Sequence, residues 1–307
     1  MGAGAVGQVF GACLQRGGAW VGVRVRGRHA GTARAGFPIG PAGAAPLDRF
    51  TPDHVETTDE PLHEGAWDAI WLCVASPALQ QGDWLERLCR DAGDSAVVVL
   101  QPGLHDRALV MDLVGEDRLV RGMIPFSSWP GPLPGSEGEP GLRWWCPPFA
   151  KAALEGPRAA PLAAALRRGG LPAAVVRSGR VDAQLGLAGG VMQPLVASLE
   201  GAEWSFELLR RRGMALTAEA AREAISVSAA VRGGAAPWWT PLVRAPALSL
   251  LTRLAQSFAP FDFEAFLRVH FTKVGDQTRG SLESLSAEAA ARGLPRGALT
   301  MLRAELG

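Results

Sequence analysis

The sequence lacks most features that mark membrane, secreted or metal-binding proteins. No apolar run is long enough to span a bilayer, and the start lacks the charged-then-apolar pattern of a secretory signal. The four cysteines form no C-x-x-C pair, and the five histidines show no metal-ligand spacing. We therefore expect a cytoplasmic protein with no membrane contact, no disulfide and no metal site.

The sequence also has little net charge and few lysines. The formal net charge is +1, so no long-range field would attract nucleic acid, and we expect no nucleic-acid partner. Only two of the 31 basic residues are lysines, Lys151 and Lys273. A general preference for arginine explains this scarcity. Alternatively, a retained lysine marks a site where a compact ammonium with an adjustable pKa is needed for proton transfer.

Glycine, in contrast, is abundant, and three glycines open the chain in a G-x-G-x-x-G pattern at Gly2, Gly4 and Gly7. In a dinucleotide site the first glycine makes a tight turn, the second lets the backbone reach the pyrophosphate, and the third lets helix and strand pack closely. Apolar residues at helical spacing follow, so Ala5 and Val6 would offer backbone N–H groups to the phosphates. The sequence therefore predicts a dinucleotide-binding loop.

The glycine pattern normally follows a buried strand, but here it follows Met1 alone. Either the true start lies upstream or the fold has lost a central strand. In both cases the first strand is expected to be truncated. A form extended by about ten residues should then be more stable, because the neighbouring strands would regain backbone partners.

The strand predicted over 20–25 indicates which dinucleotide is bound. This strand and the residues directly after it carry Arg24, Arg26 and Arg28 and no carboxylate that could accept hydrogen bonds from a ribose 2′-hydroxyl. Arginine at this place, Arg26 above all, suits a 2′-phosphate, so NADP is favoured over NAD. The alternative is that these arginines are merely solvated.

Alternating strands and helices predict a doubly wound α/β, Rossmann-like domain over residues 1–179. Buried strands are expected at 68–75, 96–101 and 119–126. Ligands bind beyond the carboxyl ends of such strands, which places three residues beside the cofactor: Ala75, Gln101 and Pro102. The remaining expectations are a helix at 78–92, a helix at 158–169, short strands at 141–146 and 173–178 that finish the sheet, and loops at 127–140 and at 29–66, the latter with a short hairpin.

From residue 180 onwards strand patterns stop, and an all-helical domain is predicted over 180–307. Thr217 and Asp262 are expected N-caps, and Gly213 and Gly293 expected helix ends. Helical spacing predicts seven helices, at 181–200, 203–212, 217–232, 246–258, 262–274, 276–292 and 296–305.

Several short motifs, in order along the chain, resemble the ketopantoate reductase (2-dehydropantoate 2-reductase) family. After the glycine opening and the V-R-V-R strand come V-V-L-Q-P-G-L, Q-P-L-V-A at 193–197, F-T-K-V-G-D at 271–276 and R-G-L-P at 292–295. The resemblance implies that the first domain binds NADPH. It also implies that a 2-oxo acid is reduced in a cleft between the domains.

The chain departs from this family at the residues that carry its chemistry. The family's catalytic lysine and two asparagines fall at Leu185, Gly189 and Gln193, so only Gln193 remains as a polar, substrate-binding candidate. The asparagine after the nucleotide-domain strand becomes Pro102. A lysine often found at the end of the preceding strand becomes Ala75.

A substitute site is predicted on the helix over 262–274 and its continuation. Thr272 and Asp276 match the family's serine and aspartate, and helical spacing places Lys273 near them. Lys273 could then donate the proton, Asp276 could hold it, and Thr272 could contact the substrate. The alternative is an ordinary helix ion pair.

Two further acid–base candidates are His270, on the same predicted helix, and the pair His105–Asp106. Two functions remain open. One is an NADP-dependent reductase that transfers hydride to a carbonyl or imine. The other is a catalytically diverged NADP-binding sensor or partner protein without redox turnover. A homodimer is possible in either case.

Overall fold

A computed structural model describes residues 1–306 except 44, 45, 59, 61, 63–66, 273 and 274. The chain divides into two compact units, Met1–Val181 and Asp182–Gly307. None of the described helices is both long and apolar enough to cross a membrane.

The first unit alternates strands and helices, as the sequence predicts. Its helices are Ala5–Arg16 (α1), Ala30–Ala35 (α2), Ser76–Leu79 (α3), Trp84–Asp91 (α4), Asp106–Val114 (α5) and Ala159–Arg168 (α6). Its strands are Gly22–Val25 (β1), Phe37–Pro41 (β2), Asp48–Phe50 (β3), His54–Thr57 (β4), Ala69–Leu72 (β5), Ala96–Val99 (β6), Leu119–Gly122 (β7), Ser127–Gly131 (β8), Gly141–Trp145 (β9), Ala152–Glu155 (β10) and Ala173–Val175 (β11).

The main sheet has five strands in the order β11-β10-β7-β6-β5, and β5, β6 and β7 are parallel. Every residue of β6 is buried, which explains its uninterrupted apolar sequence. Val98 of β6 belongs to one hydrophobic core, while Val97 and Val99 belong to another. Because successive side chains of a strand point to opposite faces, the sheet has an apolar core on each side.

The first unit contains two further sheets. β1 and β4 form a parallel pair, and four strands form a sheet in the order β3-β2-β9-β8. Helix α1 joins these parts: Phe10 packs its ring against Trp71, with ring centroids 4.9 Å apart, and against Phe126 at 5.1 Å.

The four-stranded sheet corrects several sequence expectations. Residues 29–66 hold α2, β2, β3 and β4 rather than mainly loops, although β2 and β3 pair antiparallel like the expected short hairpin. The loop expected at 127–140 contains β8. The strand expected at 141–146 is β9, but it pairs with β2 and β8 instead of finishing the main sheet. Prolines inside β2 and β8 disguised these strands, since proline is depleted from strands and signals turns.

One predicted helix is also divided. The helix expected at 78–92 is two helices, α3 and α4, and between them Gly82 has φ +68, a left-handed conformation that interrupts an α-helix. The helix expected at 158–169 is confirmed as α6.

The described part of the second unit contains helices and no strand, and seven α-helices correspond to the seven predicted ones. They are Arg180–Gly201 (α7, which begins in the first unit), Phe206–Arg212 (α8), Met214–Val231 (α9), Ala245–Phe258 (α10), Phe263–Thr272 (α11), Gly275–Ala291 (α12) and Gly297–Glu305 (α13). The α/β-then-helical fold class is thus confirmed.

The predicted helix boundaries can be compared with the structure. Gly213 is the C-cap of α8, and Gly293 lies two residues after the end of α12, as expected. Asp262 caps α11, because its carboxylate accepts a hydrogen bond from the N–H of Ala265 at 2.9 Å. Thr217 is wrong as an N-cap. It lies inside α9, where its hydroxyl donates to the carbonyl of Gly213, the residue that caps this helix.

Candidate functional site

The glycine loop at the start of the chain has two positions that admit no side chain. Gly2 has φ +88, and a Cβ added there would lie 2.9 Å from the carbonyl oxygen of Cys73. A Cβ added to Gly7 would lie 2.1 Å from the carbonyl oxygen of Gly2. The first and third glycines of the motif therefore make the tight turn and the close packing expected of them.

The second glycine, Gly4, faces open space instead, because nothing lies within 4 Å of a Cβ added there. Gly4 is the N-cap of α1, and the first helical hydrogen bond runs from the N–H of Gln8 to its carbonyl at 2.9 Å. The N–H groups of Ala5 and Val6 consequently have no partner within the helix. They point, with the positive end of the helix dipole, towards the space beside Gly4.

This loop fits an anionic diphosphate. Gln8 braces it by donating a side-chain hydrogen bond to the carbonyl of Ala3 at 2.8 Å. Backbone N–H groups at a helix N-terminus, next to a position where a ligand can approach the main chain, are the usual way in which proteins hold phosphate.

The arginines of the next strand have different roles. Arg24 is mostly buried and forms an ion pair with Glu56 at 3.0 Å, and it also donates to the carbonyl of Glu60. Arg26 directly follows β1 and is exposed. Arg28 is exposed as well and donates from Nε to His29 at 3.1 Å. Only Arg26 combines exposure with a place at the carboxyl end of β1.

The predicted cofactor residues that follow β5 and β6 differ in their surroundings. Ala75 and Pro102 are exposed at the carboxyl ends of β5 and β6. Gln101 is buried, and its side-chain N–H group donates to the carbonyls of Leu72 and Val74, each at 2.7 Å. Gln101 thus joins the ends of two strands, a role that the sequence does not predict.

The pair His105–Asp106 lies at the start of α5. Asp106 is buried and accepts a hydrogen bond from the N–H of Gly103 at 2.8 Å, so it shapes the turn before α5. His105 is exposed.

In the second unit, Gln193 lies on α7 with its side-chain oxygen buried and without a hydrogen-bond partner among the described residues. The same helix carries Leu185 and Gly189, and a Cβ at Gly189 would meet nothing within 4 Å. A buried acceptor without a partner is costly, which makes Gln193 a candidate for binding a ligand donor.

The predicted catalytic residues lie where α11 and α12 meet. Thr272 is the exposed last residue of α11, and Asp276 lies in the first turn of α12. Lys273 lies outside the described residues, as does the side chain of Asp276. The helical relationship among the three therefore stays a prediction. His270 packs its ring against Phe266 and Phe271 on α11.

A buried ion pair at the end of the first unit escaped the sequence reasoning. Arg121 of β7 pairs with Glu155 of β10, and both side chains are at most 8 % exposed. Glu155 also accepts hydrogen bonds from the N–H groups of Gly179 at 2.7 Å and Val181 at 3.0 Å. The only sequence signal was a charged residue ending the apolar run A-A-L-E.

Burial shifts two titratable groups beside the glycine loop. It raises the pKa of the Cys73 thiol to about 11, an effect that the nearby N-terminal amine partly opposes. It lowers the pKa of the Met1 α-amino group from its usual 8.0. The thiol therefore stays protonated at neutral pH and is not a nucleophile.

Comparisons with known proteins point to one family. Residues 1–129 match the family described as Ketopantoate reductase PanE/ApbA. None of the curated proteins matches the chain by sequence.

Solved structures match over the length of the chain. A PanE/ApbA family ketopantoate reductase from Ralstonia eutropha JMP134 has a TM-score of 0.70 at 19% identity, covering 100% of this chain and 95% of its own. A 2-dehydropantoate 2-reductase from Geobacter metallireducens GS-15 has a TM-score of 0.69 at 19% identity, covering 100% of this chain and 97% of its own. D-mandelate dehydrogenase with NADH and anilino(oxo)acetate has a TM-score of 0.71 at 16% identity, covering 99% of this chain and 95% of its own.

At these identities the solved structures establish the fold alone. The family match is a sequence similarity over the first 129 residues. The chain is thus similar to the ketopantoate reductase family through its glycine-loop region and has the fold of that family's solved members.

Proposed function

We propose that the protein is an NADPH-dependent reductase that transfers hydride to a carbonyl, of the 2-oxo acid type, or to an imine. The ketopantoate reductase match supports an oxidoreductase that acts on a carbonyl with a nicotinamide cofactor. The choice of NADPH and the substrate are the further steps proposed here.

The observation that carries this proposal is the glycine loop. The geometry at Gly2, Gly4 and Gly7 leaves an open approach only at Gly4, next to the unpaired N–H groups of α1. A diphosphate needs both features, because its charge must meet N–H donors and its atoms must come close to the main chain.

Arg26 supports NADPH rather than NADH. It is exposed at the end of β1, whereas the neighbouring Arg24 is occupied by Glu56. A guanidinium can donate two parallel hydrogen bonds to a phosphate, which a ribose hydroxyl cannot exploit to the same extent.

Bound NADPH would supply the hydride. The protein's own residues must then bind the substrate and provide a proton to the oxygen or nitrogen on which negative charge grows. We assign substrate binding to Gln193 and Thr272 and proton donation to Lys273, with Asp276 holding the ammonium. The unpartnered oxygen of Gln193 supports its part.

Cofactor choice is tested by titrating NADPH and NADH against the wild type, Arg26→Ala and Arg28→Ala. Arg26→Ala should weaken NADPH binding by about tenfold or more and NADH binding little, since a charged hydrogen bond contributes about 1.5–3 kcal/mol. Arg28→Ala is the matched control from the same exposed segment. Equal losses of both cofactors in Arg26→Ala would contradict the 2′-phosphate assignment.

Turnover is tested by following NADPH consumption with a panel of 2-oxo acids, ketones and imines. Once a substrate is found, Lys273→Met should lower kcat by about a hundredfold or more, as expected for loss of a general acid. Lys151→Met removes the chain's other lysine and should leave kcat unchanged. NADPH binding without any consumption would instead favour the alternative, a sensor or partner protein.

A further inference from the structure

The connection between α9 and α10 forms part of a cavity in the second unit. The cavity measures about 810 Å³, which is within the range of about 300–1,000 Å³ found for small-molecule sites. It is lined by two residues of α9, by residues between 236 and 241, and by Arg244, the N-cap of α10. The described lining includes neither the glycine loop nor Gln193 and Thr272, so it is separate from the residues assigned to NADPH and the substrate.

Hydrogen bonds fix this connection against α9. Thr240–Leu242 forms a short 3₁₀ helix, and the buried hydroxyl of Thr240 donates to the carbonyl of Pro237 at 2.7 Å. Arg222 of α9 donates from Nη1 to the carbonyl of Val243 at 2.8 Å. The walls of the cavity therefore have a defined geometry, because both the connection and its junction with α9 are hydrogen-bonded.

Two arginines bring positive charge to the cavity. Arg222 is partly buried, whereas Arg244 is exposed and donates from Nε to the carbonyl of Pro241 at 3.2 Å. Both donate to carbonyls, and among the described residues neither has a carboxylate partner. The described lining contains no acidic residue either.

This arrangement suits an oxyanion. A guanidinium has five N–H donors, and a single carbonyl uses only one or two of them. The remaining donors of Arg222 and Arg244 can bind a carboxylate or phosphate by parallel, charge-assisted hydrogen bonds. Such a ligand would also supply the counter-charge that the described residues do not provide for the partly buried Arg222.

An exposed tryptophan lies beside these charges. Trp238 lines the cavity and is 85 % exposed, whereas its neighbour Trp239 is half-buried. Pro237 and Pro241 add further apolar surface to the lining. A flat aromatic ring that stacks on the indole would remove this apolar surface from water, and the stacked rings would attract each other.

Ser226 adds one polar group to the cavity. It lies on α9 one turn after Arg222, and its hydroxyl donates to the carbonyl of Arg222 at 2.8 Å. Because its proton is used in this bond, its oxygen remains available as an acceptor. The cavity thus combines donors for an anion, a flat apolar surface and one acceptor.

We propose that this cavity binds a small aromatic acid, that is, a flat aromatic ring that carries a carboxylate or a phosphate. Arg222 and Arg244 bind the oxyanion, and the ring stacks on Trp238. The oxygen of Ser226 accepts a hydrogen bond from a ligand that also carries an N–H or O–H group. The site belongs to the second unit alone, so the proposal holds whether or not the protein is a reductase.

The test is a titration of the full chain labelled with ¹⁵N-tryptophan and followed by NMR. The Trp238→Phe variant identifies the indole N–H signal of Trp238 by its loss. The probes are 2-naphthoate and 2-naphthyl phosphate, the uncharged 2-naphthamide, and octanoate, which has a carboxylate but no ring. At least one naphthyl anion should shift the Trp238 signal and bind about tenfold or more tightly than 2-naphthamide and octanoate.

The two naphthyl anions distinguish the possible sources of the oxyanion, since the tighter one shows whether a carboxylate or a phosphate is preferred. If neither anion shifts the Trp238 signal, or if both shift only the signals of other tryptophans, the proposal is overturned. Equal affinities of the anions and 2-naphthamide would overturn it as well, because charge would then play no part.

A matched pair of variants tests the arginines. Arg244→Gln removes an exposed charge that lines the cavity, and it should weaken binding of the tighter naphthyl anion by about tenfold or more. Arg253→Gln removes an exposed charge of α10 outside the described lining, and it should leave the affinity unchanged. The indole signals show that each variant is folded. Equal affinities of the two variants would overturn the proposal.

Discussion

The carboxylate of Glu155 accepts a hydrogen bond from the backbone N–H of Val181 at 3.0 Å, so the last residue of β10 holds the first turn of α7. Glu155 is 4 % exposed and also pairs with Arg121, whose charge is buried beside it. One carboxylate therefore both neutralises a buried guanidinium and fixes the backbone where the α/β unit passes into α7.

Glu155→Gln should lower the free energy of unfolding by about 3 kcal/mol, because it removes the carboxylate charge that pairs with the buried guanidinium of Arg121. Urea unfolding measures this loss. Glu283→Gln is the control, since the pair of Glu283 with Arg303 is exposed and should contribute less than about 1 kcal/mol. Similar losses in the two variants would show that burial does not give the Glu155 pair special weight.

The glycine loop predicts a separation of folding from binding. Gly4→Ala should leave the melting temperature nearly unchanged, because the added Cβ meets no protein atom. The same variant should bind NADPH about tenfold or more weakly, because the methyl group occupies the space through which the diphosphate approaches the main chain. Gly7→Ala should cost about 1–3 kcal/mol of stability, because its Cβ clashes with the carbonyl of Gly2. Thermal melts and NADPH titrations together measure both effects. Unaltered NADPH affinity in Gly4→Ala would place the diphosphate elsewhere.

The buried amine of Met1 predicts a pH dependence of stability. Its pKa is lowered by burial from 8.0, so the unfolded chain binds a proton that the folded chain binds less readily. The free energy of unfolding should therefore rise as the pH is raised towards 8 and level off above it. Denaturant unfolding between pH 6 and pH 9 checks this. An N-terminally acetylated form should lose this part of the rise, and an identical profile after acetylation would contradict the assignment.

Cys73 predicts the opposite dependence at higher pH. Its pKa in the folded state is about 11, whereas an exposed thiol ionises near 9.0. The unfolded chain thus loses a proton that the folded chain retains, and stability should fall by roughly 2 kcal/mol between pH 9 and pH 11. Cys73→Ala should flatten this decline. If the variant and the wild type lose stability in parallel between pH 9 and pH 11, the buried thiol is not the source of the decline.

Much of the fold follows from local sequence patterns. The three glycines of the loop have distinct spatial requirements, and the helices α7 to α13 follow from apolar spacing along the chain. The four-stranded sheet could not be predicted in the same way. Its strands β2 and β8 contain prolines and glycines, and they are strands only because distant segments pair with them.

The candidate site was predictable to a different degree at each of its positions in the first unit. The tight turn of the glycine loop and the place of Arg26 directly after β1 follow from residue type and order. Gln101 and Glu155, in contrast, have side chains that bind the backbone of residues 24 to 29 positions away. Such long-range contacts leave no periodic signal in a single sequence.

The most direct test of the central claim is a crystal structure of the protein with NADPH bound. We expect diphosphate oxygens within about 3.2 Å of the backbone N–H groups of Ala5 and Val6, close to Gly4, with the 2′-phosphate at Arg26. A complex with the diphosphate away from this loop, or a loop still empty at saturating NADPH, would contradict it.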